Sequence, residues 1–118
     1  MSRRTERGAA AERAARAWLE QRGLRLRHAN YRCRWGEIDL VMEDGDTLVF
    51  VEVRYRNDPR YGGAAASVDA TKQQRLARAA AHYLSRLRGQ PPASRFDVVA
   101  LEPGGRIEWI TDAFESGD

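Results

Sequence analysis

The sequence predicts one α/β domain built on a mixed sheet, with elements in the order α-β-β-β-α-β-β. Three observations carry this. Residues 36–56, GEIDLVMEDGDTLVFVEVRYR, read as a β-hairpin. A segment with apolar residues at helical spacing lies on each side of that hairpin. The chain has 118 residues, 42% hydrophobic and 31% charged, which suits one modest core and excludes a disordered chain.

The first helix is expected over residues 5–22. Ala11, Ala14, Ala15, Trp18 and Leu19 recur at helical spacing, Glu12 flanks that stripe, and Gly23 is positioned as a C-cap. A first strand is expected within Leu24–Cys33, on a weaker pattern. The hairpin then pairs Glu37–Glu43 with Thr47–Arg56 around Asp44-Gly45-Asp46. With a two-residue Gly45-Asp46 turn, Ile38 meets Val53, Leu40 meets Val51 and Met42 meets Val49, giving one apolar face. Asp39 then faces Glu52 on the other face, and Glu37 faces Arg54. A slip of one residue would mix charged and apolar residues on both faces.

Asn57–Ala66, with Pro59 and Gly62-Gly63, reads as a loop. A second helix is expected from Asp69 to Arg88, burying Leu76, Ala79, Ala80, Tyr83, Leu84 and Leu87 and stopped by Gly89 and Pro91-Pro92. Phe96–Leu101 reads as a buried strand and Arg106–Thr111 as an edge strand. Residues 1–4 and 114–118 are expected to fray.

Two carboxylates facing each other across strands repel. The register puts the Cβ atoms of Asp39 and Glu52 roughly 4.5–5.5 Å apart, a spacing suited to sharing an ion. Hard divalent cations such as Mg²⁺ take oxygen ligands, often one or two carboxylates completed by water and phosphate. Arg54 shares the face of Glu52 two residues on and would stabilise charge developing on a phosphoryl group. The alternative is a solvated sheet face on which both acids are salt-bridged to Arg54 and Arg56. The apolar strands around them favour central positions, where carboxylates are seldom left without a partner.

Charge is segregated along the chain. Residues 1–36 hold ten Arg and three Glu, residues 37–52 six acids and no base, residues 53–95 nine bases and two acids, and residues 96–118 one base and six acids. Nineteen of the twenty bases are Arg, which pairs with phosphate through two hydrogen bonds; a codon bias toward Arg would produce the same excess. Tyr31, Trp35, Tyr55 and Tyr61 interleave with Arg32, Arg34, Arg56 and Arg60, the composition of a stacking and phosphate-contact surface and equally of ordinary loop packing. Asp97 is expected to pair with a nearby Arg, and Glu37 with Arg54. The single Cys33 excludes an intramolecular disulfide and a Cys-rich zinc site. No run of eighteen apolar residues offers a membrane span, and the basic N-terminus lacks the apolar core of a secretory signal, so a reducing cytoplasm is the expected location.

Gly36–Asp39, Val51–Arg56, the helix bearing Glu12, Asn30-Tyr31-Arg32, Lys72 and Arg95-Phe96-Asp97 together resemble the YraN-type family of small bacterial proteins over nearly the whole chain. That family is similar in turn to PD-(D/E)xK nucleases, above all archaeal Holliday junction resolvases. The resemblance implies a restriction-endonuclease-like mixed sheet with an αβββαβ core. It also implies a Mg²⁺ or Mn²⁺ site formed by Asp39 and Glu52, with Glu12 as the resolvases' additional acid. The E-x-K half-motif stands here as Glu52-Val53-Arg54. Arg stays protonated and cannot serve as a general base, so Lys72 is the candidate for the missing ammonium.

The expected function is a metal-dependent endonuclease acting on DNA, branched or damaged. Asp39, Glu52, Glu12, Arg54 and Lys72 form the catalytic set, and Arg32, Arg34, Arg56, Arg60 and Arg95 contact nucleic acid. The alternatives are a DNA-binding module of the same fold without cleavage and a protein-interaction module with a structural acidic hairpin. The oligomeric state stays open, a homodimer among the options.

Overall fold

The first helix stops where the sequence gives it no side chain to continue. In the computed structural model, which describes residues 6–55 and 68–115, α1 spans Glu6–Gln21. Gly23 takes φ +97°, and its N–H bonds Glu20 O at 3.0 Å while Leu24 N–H reaches back to Leu19 O at 3.2 Å. This is a Schellman ending, and the buried Leu19 and Leu24 close it with an apolar contact.

The strands are β1 (Arg25–Cys33), β2 (Gly36–Asp44), β3 (Thr47–Tyr55), β4 (Ser94–Leu101) and β5 (Ile107–Phe114), with α2 (Ala70–Ser85) between β3 and β4. They lie in the sheet in chain order. The β1–β2, β2–β3 and β4–β5 neighbours are antiparallel and β3–β4 is parallel. A parallel step needs a long crossover, which α2 supplies. The expected αβββαβ order is therefore present, with β5 added at the edge.

Asp69 caps α2, its side chain accepting Lys72 N–H at 2.8 Å. The helix ends at Ser85, three residues before the expected Arg88. Arg86 N–H turns back to Tyr83 O and Leu87 N–H to Leu84 O, both at 3.1 Å, tightening the chain into i→i+3 turns. Leu76, Ala79, Ala80 and Tyr83 are buried as expected, whereas Leu84 and Leu87 stay half-buried.

The two helices cover opposite faces of the sheet. Leu48, Phe50, Val98 and Ala100 pack with α2; Val49, Val51 and Val99 pack with Ala15 and Leu19 of α1. Alternate residues of each central strand thus enter different cores. The hairpin register is Leu40–Val51 and Met42–Val49 across a Gly45-Asp46 turn, as expected. The expected single apolar face does not extend to Ile38, which joins Val41 and Tyr31 under α2 while Leu40 and Met42 face α1. The alternation breaks at Asp39. In the adjoining ladder Asn30, at φ +57°, lies between the Ala29–Leu40 and Tyr31–Ile38 pairs, so both strands switch faces together.

Asp97 is wholly buried on β4 and ties down the edge strand. It accepts Arg95 Nε at 3.0 Å, Trp109 Nε1 at 2.9 Å and Asp112 N–H at 2.9 Å. Arg95 also reaches Asp44 at 3.0 Å. Phe114 stacks on Phe96 with ring centres 4.8 Å apart, so the fraying expected from residue 114 does not begin there. The expected loop 57–66, with Arg56, Arg60 and Tyr61, lies outside the described residues, as do residues 1–5 and 116–118.

Removing the Asp97 carboxylate takes the acceptor from three part-buried donors at once. Asp97→Ala is expected to lower stability by roughly 3–5 kcal/mol in urea denaturation, and Asp97→Asn by less. An Asp97→Ala midpoint equal to that of wild type would show that β5 is held by other means.

Candidate active site

Glu52 follows Leu48 and Phe50 on the α2 side of the central strand and is 5% exposed. Its Oε2 lies 3.2 Å from Arg54 Nε and 3.7 Å from Lys72 Nζ. The Arg54 contact is an ion pair without hydrogen-bond alignment, and Glu52 Oε1 is buried with no hydrogen-bond partner. Asp39 sits where β2 parts from β3. The paired ladder ends at Leu40–Val51, and beyond it Asp39 Oδ2 accepts the Val53 N–H at 2.8 Å. A side-chain carboxylate thus replaces a ladder carbonyl, leaving β3 satisfied as β2 leaves it.

Asp39 is the common neighbour of the acids. Glu12 holds the Asp39 carboxyl down, and the Asp39 charge pushes Glu52 up. Like charges so placed disfavour ionising together. Burial pushes the Glu52 carboxyl up to about 7, and the Asp39 charge adds to the rise while Lys72 and Arg54 oppose it. Burial raises Asp39 as well, against the hydrogen bonds from Val53 and Glu12. Among the described residues no three His, Cys, Asp or Glu side chains form a ready-made metal cage. The centre is a carboxylate pair, with Glu12 joined to it through Asp39.

The structure therefore brings Arg54 and Lys72 to Glu52 and sets Asp39 between the influence of Glu12 and Glu52, but among the described residues it does not gather the three acids expected to hold a metal into one group. The expected Glu37–Arg54 pair is not formed. Glu37 bonds Arg32 on β1 at 2.7 Å, because β2 stays paired with β1 after it has left β3. Arg34 lies over Trp35, with 4.5 Å from guanidinium carbon to ring centre. Arg95, engaged by Asp44 and Asp97 and paired in register with Val49, is set apart from the carboxylates. Gln73 donates to Val68 O at 3.0 Å, closing the start of α2.

Sequence reasoning missed Asn30, Arg13 and Arg16, which line a cleft of about 240 Å³ with Glu12 on the α1 side. Asn30 Oδ1 is buried there without a hydrogen-bond partner. It also missed Arg75, although Lys72, Arg75 and Arg78 recur every third residue, a spacing that puts them on one helix face.

A family model described as "Uncharacterised protein family UPF0102" matches residues 11–101. The chain belongs to the UPF0102 family. The YraN-type resemblance is to this family, and the matched segment includes Glu12, Asp39, Glu52, Arg54 and Lys72. A UPF0102 protein of Cupriavidus pinatubonensis is 58% identical over 110 residues, covering 92% of this chain and 85% of its own. One from Nitrosomonas eutropha is 50% identical over 117 residues, covering 99% of this chain and 100% of its own. A third, from Halorhodospira halophila, is 54% identical over 109 residues, covering 92% and 87%.

The raised Glu52 carboxyl fixes the sign of a pH effect. Between the ordinary glutamate value of 4.5 and about 7 the folded protein holds a proton that the unfolded chain has released. Stability should therefore be greatest below this window and fall as pH rises through it, on the order of 1–3 kcal/mol. Urea midpoints at either end of the window test this, and Glu52→Gln should flatten the difference. A wild-type midpoint that rises with pH across it would refute the assignment.

Proposed function

We propose that this protein is a divalent-metal-dependent nuclease of DNA, with branched or damaged DNA as its substrate class. The observation that carries the proposal is the juxtaposition of the Asp39 and Glu52 carboxylates where β2 parts from the central strand β3, with the Lys72 ammonium 3.7 Å from Glu52. Hard oxygen donors, an unpartnered buried Glu52 Oε1 and mutual repulsion fit a Mg²⁺ or Mn²⁺ ion held by Asp39 and Glu52, with Glu12 supporting Asp39. When bound, such an ion supplies Lewis-acid activation of a phosphodiester and its attacking water.

The protein's own groups divide the remaining work. Val53 N–H and Glu12 orient Asp39. Arg54 and Lys72 stabilise negative charge at the phosphate from fixed positions, so little reorganisation is needed as that charge grows. Arg54 remains a cation throughout and accepts no proton. No helix among the described residues is long and apolar enough to cross a membrane.

One observation favours a second function, DNA binding without cleavage. Glu52 already has two protein cations beside it, Arg54 and Lys72, which offset its charge without a metal. Cleavage separates the two. Incubation with single-stranded, duplex and four-way-junction DNA and Mg²⁺ or Mn²⁺ should give products that Asp39→Ala abolishes. Arg54→Lys should retain cleavage, since lysine is usual there in the nucleases that the chain resembles, and Arg54→Ala should lose about 10²–10³-fold. DNA binding with no cleavage by wild type or Arg54→Lys would leave the binding module as the function.

Metal binding has its own readout. Mn²⁺ at a hundredfold excess over its dissociation constant should stabilise the fold by about 2.7 kcal/mol, seen as a higher Tm, and Asp39→Asn should lose most of that gain. Identical responses of wild type and Asp39→Asn would show that the acids hold no ion.

A further inference from the structure

A second feature adjoins the carboxylates on the α2 side of the sheet. A cleft of about 370 Å³ runs between β1–β2 and α2, with Lys72, Arg75 and Arg32 on its walls. Lys72 belongs to both places, lining the cleft and standing beside Glu52. The acid of the cleft, Glu37, is bonded by Arg32 at 2.7 Å. Among the described residues no acid pairs with Arg75, so the wall is cationic.

Near the cleft lies the two-residue turn Arg34-Trp35 joining β1 to β2. Gly36, at φ +149°, packs beneath α2, where an added Cβ would stand 3.6 Å from Arg75 Cβ. This close approach brings the next turn of α2 to the Trp35 ring, with the Arg78 guanidinium carbon 5.3 Å from the ring centre. Arg34 approaches the same ring at 4.5 Å. Trp35 is nonetheless 38% exposed, and only Tyr55 joins it as an exposed large apolar residue among those described. The other two tryptophans pack on each other, Trp18 edge-on to Trp109.

We infer that Trp35 is a stacking platform for an unpaired base, and that the cationic cleft leads the same strand to Asp39 and Glu52. The inference rests on the nucleic-acid reading above and narrows its substrate to DNA with a single-stranded segment. An open indole flanked by guanidiniums offers a π-face and phosphate donors together, the combination that holds single strands without regard to sequence. Arg34 and Arg78 are exposed side chains and can exchange the ring for the flanking phosphates. Bases in an intact duplex are stacked on one another and present no free face to the ring.

The test measures binding in EDTA, so that it is independent of cleavage. Oligodeoxythymidylate titrated at low salt should quench wild-type fluorescence, and Trp35→Phe should lose that quench. Trp35→Ala should weaken oligothymidylate binding by about 5- to 100-fold, the range for one lost base–aromatic stack, and duplex binding less than about twofold. Arg78→Ala should weaken both and lower the salt dependence by about one counterion. Thermal melting checks that the variants fold, which the exposed turn position of Trp35 favours. No binding of oligothymidylate by wild type, an unchanged affinity in Trp35→Ala, or equal losses for single strand and duplex would overturn the inference. A protein that stacks a single strand but never cleaves would refute the nuclease reading alone.

Discussion

The placing of two carboxylates near each other where β2 parts from the central strand β3 is the constraint around which the rest of this structure is organised. Asp39 and Glu52 would each be ordinary on a wet surface. Half-buried or buried as near neighbours, they repel, and three elements contribute groups that reduce the cost. β3 gives the Val53 N–H and Arg54, α1 gives Glu12, and α2 gives Lys72. The hairpin opens at this point because the Asp39 side chain takes over a backbone hydrogen bond. The cluster thus arises from a break in regular pairing, in the C-terminal half of β3, where β4 still pairs with it.

The two helices serve this arrangement from opposite faces. α1 delivers Glu12 because its apolar stripe of Ala11, Ala15 and Leu19 sets its rotation against the sheet, with Glu12 next to Ala11. α2 delivers Lys72 within a turn of its Asp69 cap, where the helix start is fixed by a 2.8 Å hydrogen bond. Neither acid nor ammonium depends on a long flexible connection for its place. Such positioning on regular elements is what a preorganised site requires.

Much of this was legible in the sequence. Gly23 marked the end of α1, the turn residues and the alternation of Leu40 and Met42 against Val49 and Val51 set the hairpin register, and the apolar spacing from Leu76 to Tyr83 identified the buried face of α2. Period-two alternation failed at Ile38. The cause is a tertiary one, the αL turn of Asn30 on the neighbouring strand together with the loss of ladder pairing at Asp39, and no local propensity announces either. The meeting of Asp39 with Glu52 was expected from regular cross-strand pairing and is achieved by a departure from it. Glu37 was assigned to Arg54 on the assumption that β2 and β3 stay paired; once they part, β1 is its remaining neighbour. The distance from Lys72 to Glu52 could not be read at all, since it depends on how α2 lies over the sheet.

The outer strand β5 changes faces partway along its length. Ile107 and Trp109 pack toward α1, Phe114 toward α2, and between them Asp112 adopts φ +52° while its N–H is taken by Asp97. An exposed sheet edge is an invitation to other chains, because its free N–H and C=O groups can template a further strand. Here the extra residues bend the edge and interrupt the row of free groups, leaving only Ile107–Ile110 as a straight run. A second copy seeking to extend the sheet would find about one short strand's worth of partners and then a kink. The carboxylate that anchors β5 thereby also makes this edge a poor template for a further strand.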